Sequence, residues 1–240
     1  MIETMRDLQT LKRGSEPQIA ILIDPEKTDG LAERIKRAER IMNFGYILLG
    51  GSTGYGTLQF TRTFSQLRTL TERPIIYFPG SQTIYTLRPD AFLFLIVLNS
   101  QNPRFLIGQS RSALKKLELF GLQVRCIPVG YLICEPGGTV GQISEAELIQ
   151  TDDYRNLMSY VRYCEIVGIP YLYLEAGSGA AESIPAETVR YLRARTDLYL
   201  IIGGGIRSIS QIRALQKAGA DLIVVGNAFE TDQFIDDSDG

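Results

Sequence analysis

Three short apolar runs in the last third of the chain each end in a glycine-rich turn. Each run has the length and composition of a strand buried on both faces, as in parallel sheets. The turns offer backbone N–H groups with few side chains in the way. The pattern favours a parallel α/β fold whose successive strand ends carry backbone donors. The runs are 171–174, 198–202 and 222–225, and the turns are 175–179, 203–207 and 226–227.

The same alternation of apolar runs and helical patterns extends over the whole chain. Eight strands with intervening helices predict a closed (β/α)8 barrel, a TIM barrel of the α/β class. The segment 79–89 is too short for a full barrel helix, so we expect a loop in place of the third helix. We expect one helix over 103–120, with Pro103 in its first turn, and a turn-rich insertion at 136–141. The other five strands are expected near 19–23, 46–49, 74–78, 92–98 and 124–134.

Size and composition suit one soluble domain. The 240 residues fit a single barrel over 1–240, with 235–240 expected to form a disordered tail. A net charge of −2 with dispersed basic residues gives no indication of nucleic-acid binding. No apolar run approaches the roughly 18 residues of a membrane span. The start of the chain does not resemble a signal peptide. Three widely spaced cysteines indicate reduced thiols and a cytoplasmic location.

The absence of histidine narrows the chemistry. With no His in the sequence, there is no imidazole base and no Ser-His-Asp triad. Acid–base work must fall to Glu, Asp, Lys, Tyr or Cys.

The last two turns predict a phosphate site. In a barrel of this kind the loops after the strands carry the chemistry, and those of the last strands often bind phosphate. Gly204, Gly205, Gly226 and Asn227 can supply main-chain donors there. The alternative is that these glycines only permit tight turns.

Glu175 is the leading candidate for a general base. It ends a buried strand and faces a glycine-rich loop, so partial desolvation would raise its proton affinity. Tyr173, two residues earlier on the same strand face, could hydrogen-bond a substrate. Two alternatives stay open: an ion pair between Glu175 and an Arg, and a packing role for Tyr173 in a barrel layer.

Asp24 is the candidate metal ligand. One carboxylate with one hydroxyl, here Ser52 or Thr53, suits a Mg²⁺ ion that keeps waters and binds substrate phosphates. A helix N-cap is the alternative for Asp24. Lys27 is open to two interpretations, a phosphate contact or a solvated charge.

At these residues the chain closely resembles the geranylgeranylglyceryl phosphate synthase family, including its bacterial relatives of the PcrB type. The resemblance extends over nearly the whole length. The segment 131–141 is more similar to the archaeal-type branch, which uses geranylgeranyl diphosphate. The motifs that carry the resemblance are 24–27, 50–52, 78–81, 98–100, 128–131, 135–139, 173–179, 203–207 and 226–227.

The resemblance implies an enzyme that joins sn-glycerol 1-phosphate to a polyprenyl diphosphate as an ether and releases diphosphate. It implies that Glu175 takes the proton of the glycerol hydroxyl and that Asp24 and Ser52 hold Mg²⁺. It also implies a homo-oligomer, a dimer or a hexamer; transient membrane contact stays open. The implied glycerol-phosphate residues are Tyr173, Leu174, Glu175, Ala176, Gly177, Ser178, Gly179, Gly204, Gly205, Gly226 and Asn227; candidates for an apolar prenyl groove are Phe78, Tyr85, Phe92 and Tyr131.

Two other functions fit a barrel with a phosphate site. One is an isomerase or synthase of sugar phosphates, which the lack of a clear acid–base partner for Glu175 weakens. The other is a flavin-binding barrel that holds the FMN phosphate at 203–227. A yellow purified protein would favour the flavin hypothesis.

Overall fold

Eight parallel strands close into a barrel in chain order. The structure is a computed structural model, and it describes residues 18–51, 56–79, 88–231 and 234–237. The first strand pairs with the last, with Ile21 opposite Val225, and this pairing closes the sheet. The predicted (β/α)8 barrel is thereby confirmed. The strands are β1 (Gln18–Ile23), β2 (Tyr46–Leu49), β3 (Ile75–Tyr77), β4 (Ala91–Val97), β5 (Cys126–Ile133), β6 (Tyr171–Glu175), β7 (Tyr199–Gly203) and β8 (Leu222–Val225).

Amphipathic helices surround the barrel. The first helix buries Leu31, Ile35, Ala38 and Met42, a three-to-four-residue spacing that puts one apolar stripe against the sheet. No helix in the described ranges has the length and apolarity needed to cross a membrane. The helices are α1 (Leu31–Met42), α2 (Thr57–Leu70), α3 (Gln109–Leu119), α4 (Gly138–Ile143), α5 (Tyr154–Val167), α6 (Ala186–Arg193), α7 (Ile209–Ala218) and α8 (Asn227–Glu230).

The strands are buried on both faces. One face packs under the helices and the other fills the barrel interior, which explains why the strands are almost continuously apolar. Cys126, Cys134 and Cys164 are buried free thiols, in line with the predicted reduced state. The interior layer includes Ala20, Leu48, Ile76, Leu93, Val129, Tyr173, Ile201 and Val224.

Two connections differ from the sequence-based expectation. The single helix expected over 103–120 begins with a π-helical turn, Arg104–Gly108, in which the Gln109 amide donates to the carbonyl of Arg104 five residues earlier. The expected turn-rich insertion contains the short helix α4. Tertiary packing explains α4, because Leu148 lies directly against Gly137, which caps its start, and against Gly141 in its middle.

Two further predictions fall partly outside the described residues. The loop expected in place of the third helix includes 80–87, which are outside them. Disorder was expected from 235 onward, but Ile235 forms a bridge with Ser208, and Asp237 Oδ1 accepts a hydrogen bond from the Ser210 amide at 2.8 Å, so the prediction is wrong at these two positions. Residues 238–240 are outside the described part of the chain.

Candidate active site

A cavity of about 1070 Å³ opens at the C-terminal ends of the strands. Asp24, Glu175, Gly204 and Asn227 line one end of it, where the turns after β1, β6, β7 and β8 meet. Side chains of β4 and α3 line the other end. The barrel topology therefore brings most of the predicted polar residues to one rim, next to an extension lined by both apolar and polar side chains.

Glu175 lies at the end of β6 with 6% of its surface exposed. Its Oε1 accepts a hydrogen bond from the Gly177 amide at 2.7 Å, and its Oε2 accepts one from the Tyr131 hydroxyl at 3.0 Å. Both donors are neutral groups. This environment argues against the ion pair with an Arg that the sequence left open, and it keeps the carboxylate available to take a proton.

Burial raises the pKa of Glu175 above its usual value. Hydrogen bonds from Gly177, Tyr131 and Tyr173 stabilise the charged form and oppose the shift without cancelling it. The pKa values of Tyr131 and Tyr173 lie well above their usual range, chiefly because both side chains are buried and then because of the Glu175 charge. The two phenols therefore remain protonated donors, and Glu175 is a stronger base than an exposed glutamate.

Tyr173 lies inside the barrel and packs edge-on against Tyr131, with ring centroids 4.8 Å apart. Its hydroxyl covers Gly203, since a methyl group added there would lie 2.1 Å from the Tyr173 oxygen. Tyr173 thus fills a barrel layer and also hydrogen-bonds Glu175. The packing role left open by the sequence is confirmed, and a hydrogen bond from Tyr173 to a substrate stays a prediction.

The glycine-rich turns are built by positive backbone angles and close contacts. Gly177, Gly204 and Gly205 have φ of +104°, +83° and +69°, which side-chain-bearing residues rarely adopt. A methyl group on Gly177 would lie 2.6 Å from the carbonyl carbon of Gly137, in the turn after β5. These glycines therefore permit the tight turns, as the alternative interpretation of the sequence proposed. Gly204 and Gly205 in addition line the cavity.

The predicted glycerol-phosphate residues do not all reach the cavity in the same way. Leu174 and Ala176 pack in the layer between the barrel and the helices. The cavity is lined by Tyr173, Glu175, Ser178, Gly179, Gly204, Gly205, Gly226 and Asn227.

Asp24 is buried beside the cavity, at the end of β1. Its Oδ1 accepts a hydrogen bond from the Glu26 amide at 3.0 Å, and a methyl group on Gly51 would lie 2.7 Å from Oδ2. The residue that caps α1 is Gly30, so Asp24 is not the N-cap that the sequence left open.

The donor set suits Mg²⁺. The described residues hold no cluster of three or more His, Cys, Asp or Glu side chains placed for a metal. A single carboxylate at a rim open to substrate fits an ion that retains waters and takes its other oxygens from phosphates. Ser52, the predicted second ligand, and its alternative Thr53 are outside the described residues.

Sequence reasoning missed the contact between Tyr131 and Glu175. The sequence suggested Tyr131 only as a groove residue, but its hydroxyl contacts Glu175. The signal lies in the strand register, which pairs Tyr131 with Tyr173 and Ile133 with Glu175. Of the other groove candidates, Phe78 and Phe92 line the cavity and Tyr85 is outside the described residues.

Arg207 was also missed as a structural residue of the site. Its guanidinium donates to the carbonyl oxygens of Ala180 at 2.8 Å and Ala181 at 3.1 Å. It therefore holds the loop that follows β6 against the turn that follows β7.

Comparisons with known proteins agree with this geometry. The model of the PcrB family matches residues 13–238. Geranylgeranylglyceryl phosphate synthase of Pyrococcus abyssi is 37% identical over 219 residues, 91% of this chain and 86% of the relative. The synthase of Thermofilum pendens is 38% identical over 220 residues, 91% of this chain and 85% of the relative.

Solved structures show the same likeness. The (S)-3-O-geranylgeranylglyceryl phosphate synthase of Thermoplasma acidophilum, in complex with its substrate sn-glycerol-1-phosphate, superposes with a TM-score of 0.82 at 32% identity, covering 90% of this chain and 87% of that one. The Thermoplasma volcanium enzyme gives a TM-score of 0.82 at 35% identity, covering 89% and 85%. The chain therefore belongs to the PcrB family and is related over nine-tenths of its length to geranylgeranylglyceryl phosphate synthases.

Proposed function

We propose that the chain is a prenyltransferase that joins sn-glycerol 1-phosphate to a polyprenyl diphosphate and releases diphosphate. The preferred prenyl donor in this proposal is geranylgeranyl diphosphate. The observation that carries the proposal is the buried Glu175 carboxylate, held by neutral donors beside the glycine-rich turns. The names of the relatives and the glycerol-phosphate complex of a structural neighbour support the same reaction.

In the proposed reaction the glycine-rich turns hold the phosphate of glycerol phosphate. The hydroxyl oxygen of glycerol phosphate then attacks the first carbon of the prenyl chain, and Glu175 accepts the proton that this hydroxyl group loses. The new C–O bond forms while the bond from that carbon to diphosphate breaks, and diphosphate leaves with the electron pair. Correct placement of the two substrates supplies much of the rate enhancement.

Asp24 and Ser52 are the residues proposed to hold Mg²⁺. When bound, the ion would offset the negative charge of the departing diphosphate. The placement of Asp24 at the cavity rim supports this role, because a diphosphate there would complete the oxygen ligands of the ion.

Apolar side chains in the β4–α3 part of the cavity support a prenyl substrate. Phe92, Leu95, Phe105 and Ala113 line that part, and the polar residues Arg104, Gln109, Ser110, Ser112 and Lys116 lie along the same segment. The cavity volume lies slightly above the usual range for small-molecule sites, about 300–1000 Å³. A long hydrocarbon chain bound there would lose its contact with water, and this burial would supply binding energy. A homo-oligomer, a cytoplasmic location and transient membrane contact remain predictions.

The test is a product assay by mass spectrometry. Purified protein, Mg²⁺ and sn-glycerol 1-phosphate are mixed with prenyl diphosphates of graded length, and the 3-phosphate enantiomer is assayed in parallel. We expect prenylglyceryl phosphate from the 1-phosphate alone, with the highest rate for the geranylgeranyl donor. A folded protein that forms no product with any donor would refute the proposal. A higher rate with longer donors would refute the proposed preference for the geranylgeranyl chain.

A further inference from the structure

Lys27, in the turn after β1, contacts the two ends of α8, the short helix that follows the neighbouring strand β8. Its Nζ donates a hydrogen bond to Glu230 Oε2 at 2.8 Å and another to Asn227 Oδ1 at 3.1 Å. The Lys27 side chain is 48% exposed, whereas that of Glu230 is 4% exposed. The ammonium group is thus fixed from one side by a buried carboxylate and faces the cavity on the other.

This contact determines which way the amide of Asn227 points. An ammonium group only donates hydrogen bonds, so the amide oxygen must face Lys27 and the NH₂ group must face away. Asn227 Nδ2 accordingly lies beside Gly179, where an added methyl group would be 3.2 Å from it. Both Gly179 and Asn227 line the cavity at its glycine-rich end. The NH₂ group of Asn227 is therefore on the Gly179 side of the cavity, beside the turns proposed to hold the phosphate.

Glu230 and Arg34 fix the position of Lys27. Glu230 Oε1 accepts a hydrogen bond from the Asp24 amide at 2.9 Å. The Glu230 carboxylate therefore binds the turn after β1 at two points, the backbone of Asp24 and the side chain of Lys27. The buried guanidinium of Arg34 donates to the carbonyl oxygens of Lys27 and Glu230. Hydrogen bonds from backbone groups and from side chains thus both connect the turn after β1 to the end of α8.

We propose that Lys27 is a positioning residue for the glycerol-phosphate site: it orients the Asn227 amide so that its N–H groups donate to the substrate phosphate, and Glu230 holds Lys27 in place. The inference rests on the proposed function, since it needs an anion in the glycine-rich turns. The competing role for Lys27 is direct attraction of the phosphate by its charge. In that case Lys27 and Asn227 would act independently.

The test is a double-mutant cycle on binding of sn-glycerol 1-phosphate alone, measured by calorimetry on the full chain. We expect Lys27→Met and Asn227→Ala each to raise Kd about tenfold, as loss of a hydrogen bond to a charged group does. If Lys27 acts through Asn227, the double variant binds no more weakly than Asn227→Ala. Additive effects, about a hundredfold in the double variant, would overturn the inference. Lys36→Met, on the exposed face of α1, is the matched control and should bind like the wild type.

Two more variants separate the role of the donors from the stability of the fold. Asn227→Asp keeps an acceptor for Lys27 but removes both N–H donors, so we expect a folded protein with weakened binding. Glu230→Gln should weaken binding in the wild type and have no added effect in the Lys27→Met background. Wild-type affinity in Asn227→Asp would overturn the inference. A wild-type chain that does not bind sn-glycerol 1-phosphate would instead refute the proposed function and, with it, this inference.

Discussion

The Tyr131 hydroxyl on β5 donates a hydrogen bond to Oε2 of Glu175 on β6 over 3.0 Å. The strand register makes this contact possible, because Glu175 pairs with Ile133, two residues beyond Tyr131 on the same face. Burial raises the pKa of Glu175, and this hydrogen bond lowers it. The basicity of Glu175 is therefore a balance between desolvation and donors on a neighbouring strand.

Replacing Tyr131 with Phe should shift the pH dependence of catalysis. The substitution removes a hydrogen bond that favours the charged carboxylate, so the pKa of Glu175 rises further. Because the base must be deprotonated, we expect the acid limb of the kcat/KM profile to move to higher pH. Tyr163→Phe, on the exposed face of α5, is the control and should leave the profile unchanged. A shift to lower pH, or none, would contradict the assigned contact.

Replacing Glu175 with Gln should lower kcat by at least about a hundredfold, the smallest contribution that a general base typically makes to the rate. Binding of glycerol phosphate should persist in this variant. Steady-state kinetics and calorimetry on the same preparation measure the two quantities. Near-normal turnover would exclude Glu175 as the base.

The same substitution should stabilise the fold at alkaline pH. The folded-state pKa of Glu175 is raised above its ordinary value of 4.5, so the stability that Glu175 contributes is fully present below that value and is lost as pH rises through the raised pKa. Gln removes this penalty, so the thermal midpoint of the variant should exceed that of the wild type at pH 8. Each kcal/mol relieved corresponds to about 2–4 °C.

Scanning calorimetry from pH 4 to pH 8 checks this stability prediction. The difference between variant and wild type should shrink on acidification and vanish below the unfolded-state pKa. Glu39→Gln, at an exposed position of α1, is the matched control. A variant that melts below the wild type at pH 8 would be inconsistent with a desolvated carboxylate.

Gly204→Ala should damage both stability and activity. At φ of +83° a methyl group would lie 2.6 Å from Glu175 Oε1 and 2.7 Å from the Gly177 amide nitrogen, the two atoms of the hydrogen bond that holds the base. We expect a loss of about 1–3 kcal/mol in the free energy of unfolding and at least a tenfold lower kcat. Denaturant titration and kinetics measure the two effects.

Gly56→Ala is the control for that substitution. Gly56 has φ of −75°, and among the described residues no atom lies within 4 Å of an added methyl group. Equal losses of stability and kcat in the two variants would show that the close contact at Gly204 is not the cause.

Asp24→Asn should raise the Mg²⁺ concentration needed for half-maximal turnover. A neutral amide binds a divalent cation more weakly than a carboxylate does, so we expect a shift of about tenfold or more. A Mg²⁺ titration of initial rates measures it, with Asp29→Asn in the same turn as control. Unchanged Mg²⁺ dependence would leave Asp24 as a residue that only shapes the turn through Glu26.

The barrel was predictable because burial on both faces makes each strand an unbroken apolar run. The positions of Glu175 and Asp24 at one rim followed from that topology, since parallel strands end on the same side.

The features that sequence could not supply depend on contacts between distant segments. The Tyr131–Glu175 hydrogen bond depends on register, and the Lys27–Glu230 pair joins residues 203 positions apart. The helix α4 forms in a glycine-rich segment of low helical propensity because packing overrides local preference. The π-helical turn before α3 depends on one shifted hydrogen bond, which apolar periodicity does not report.

The contact between the turns after β5 and β6 has a consequence for how this protein can vary. The backbones of Gly177 and Gly137 approach so closely that a side chain on Gly177 would displace the opposite turn. Gly138 is similarly constrained, since its added methyl group would lie 3.3 Å from Gly177 Cα. A side chain added at this contact in one turn thus needs a compensating change in the other turn. We therefore expect substitutions in the two turns to occur together among related sequences.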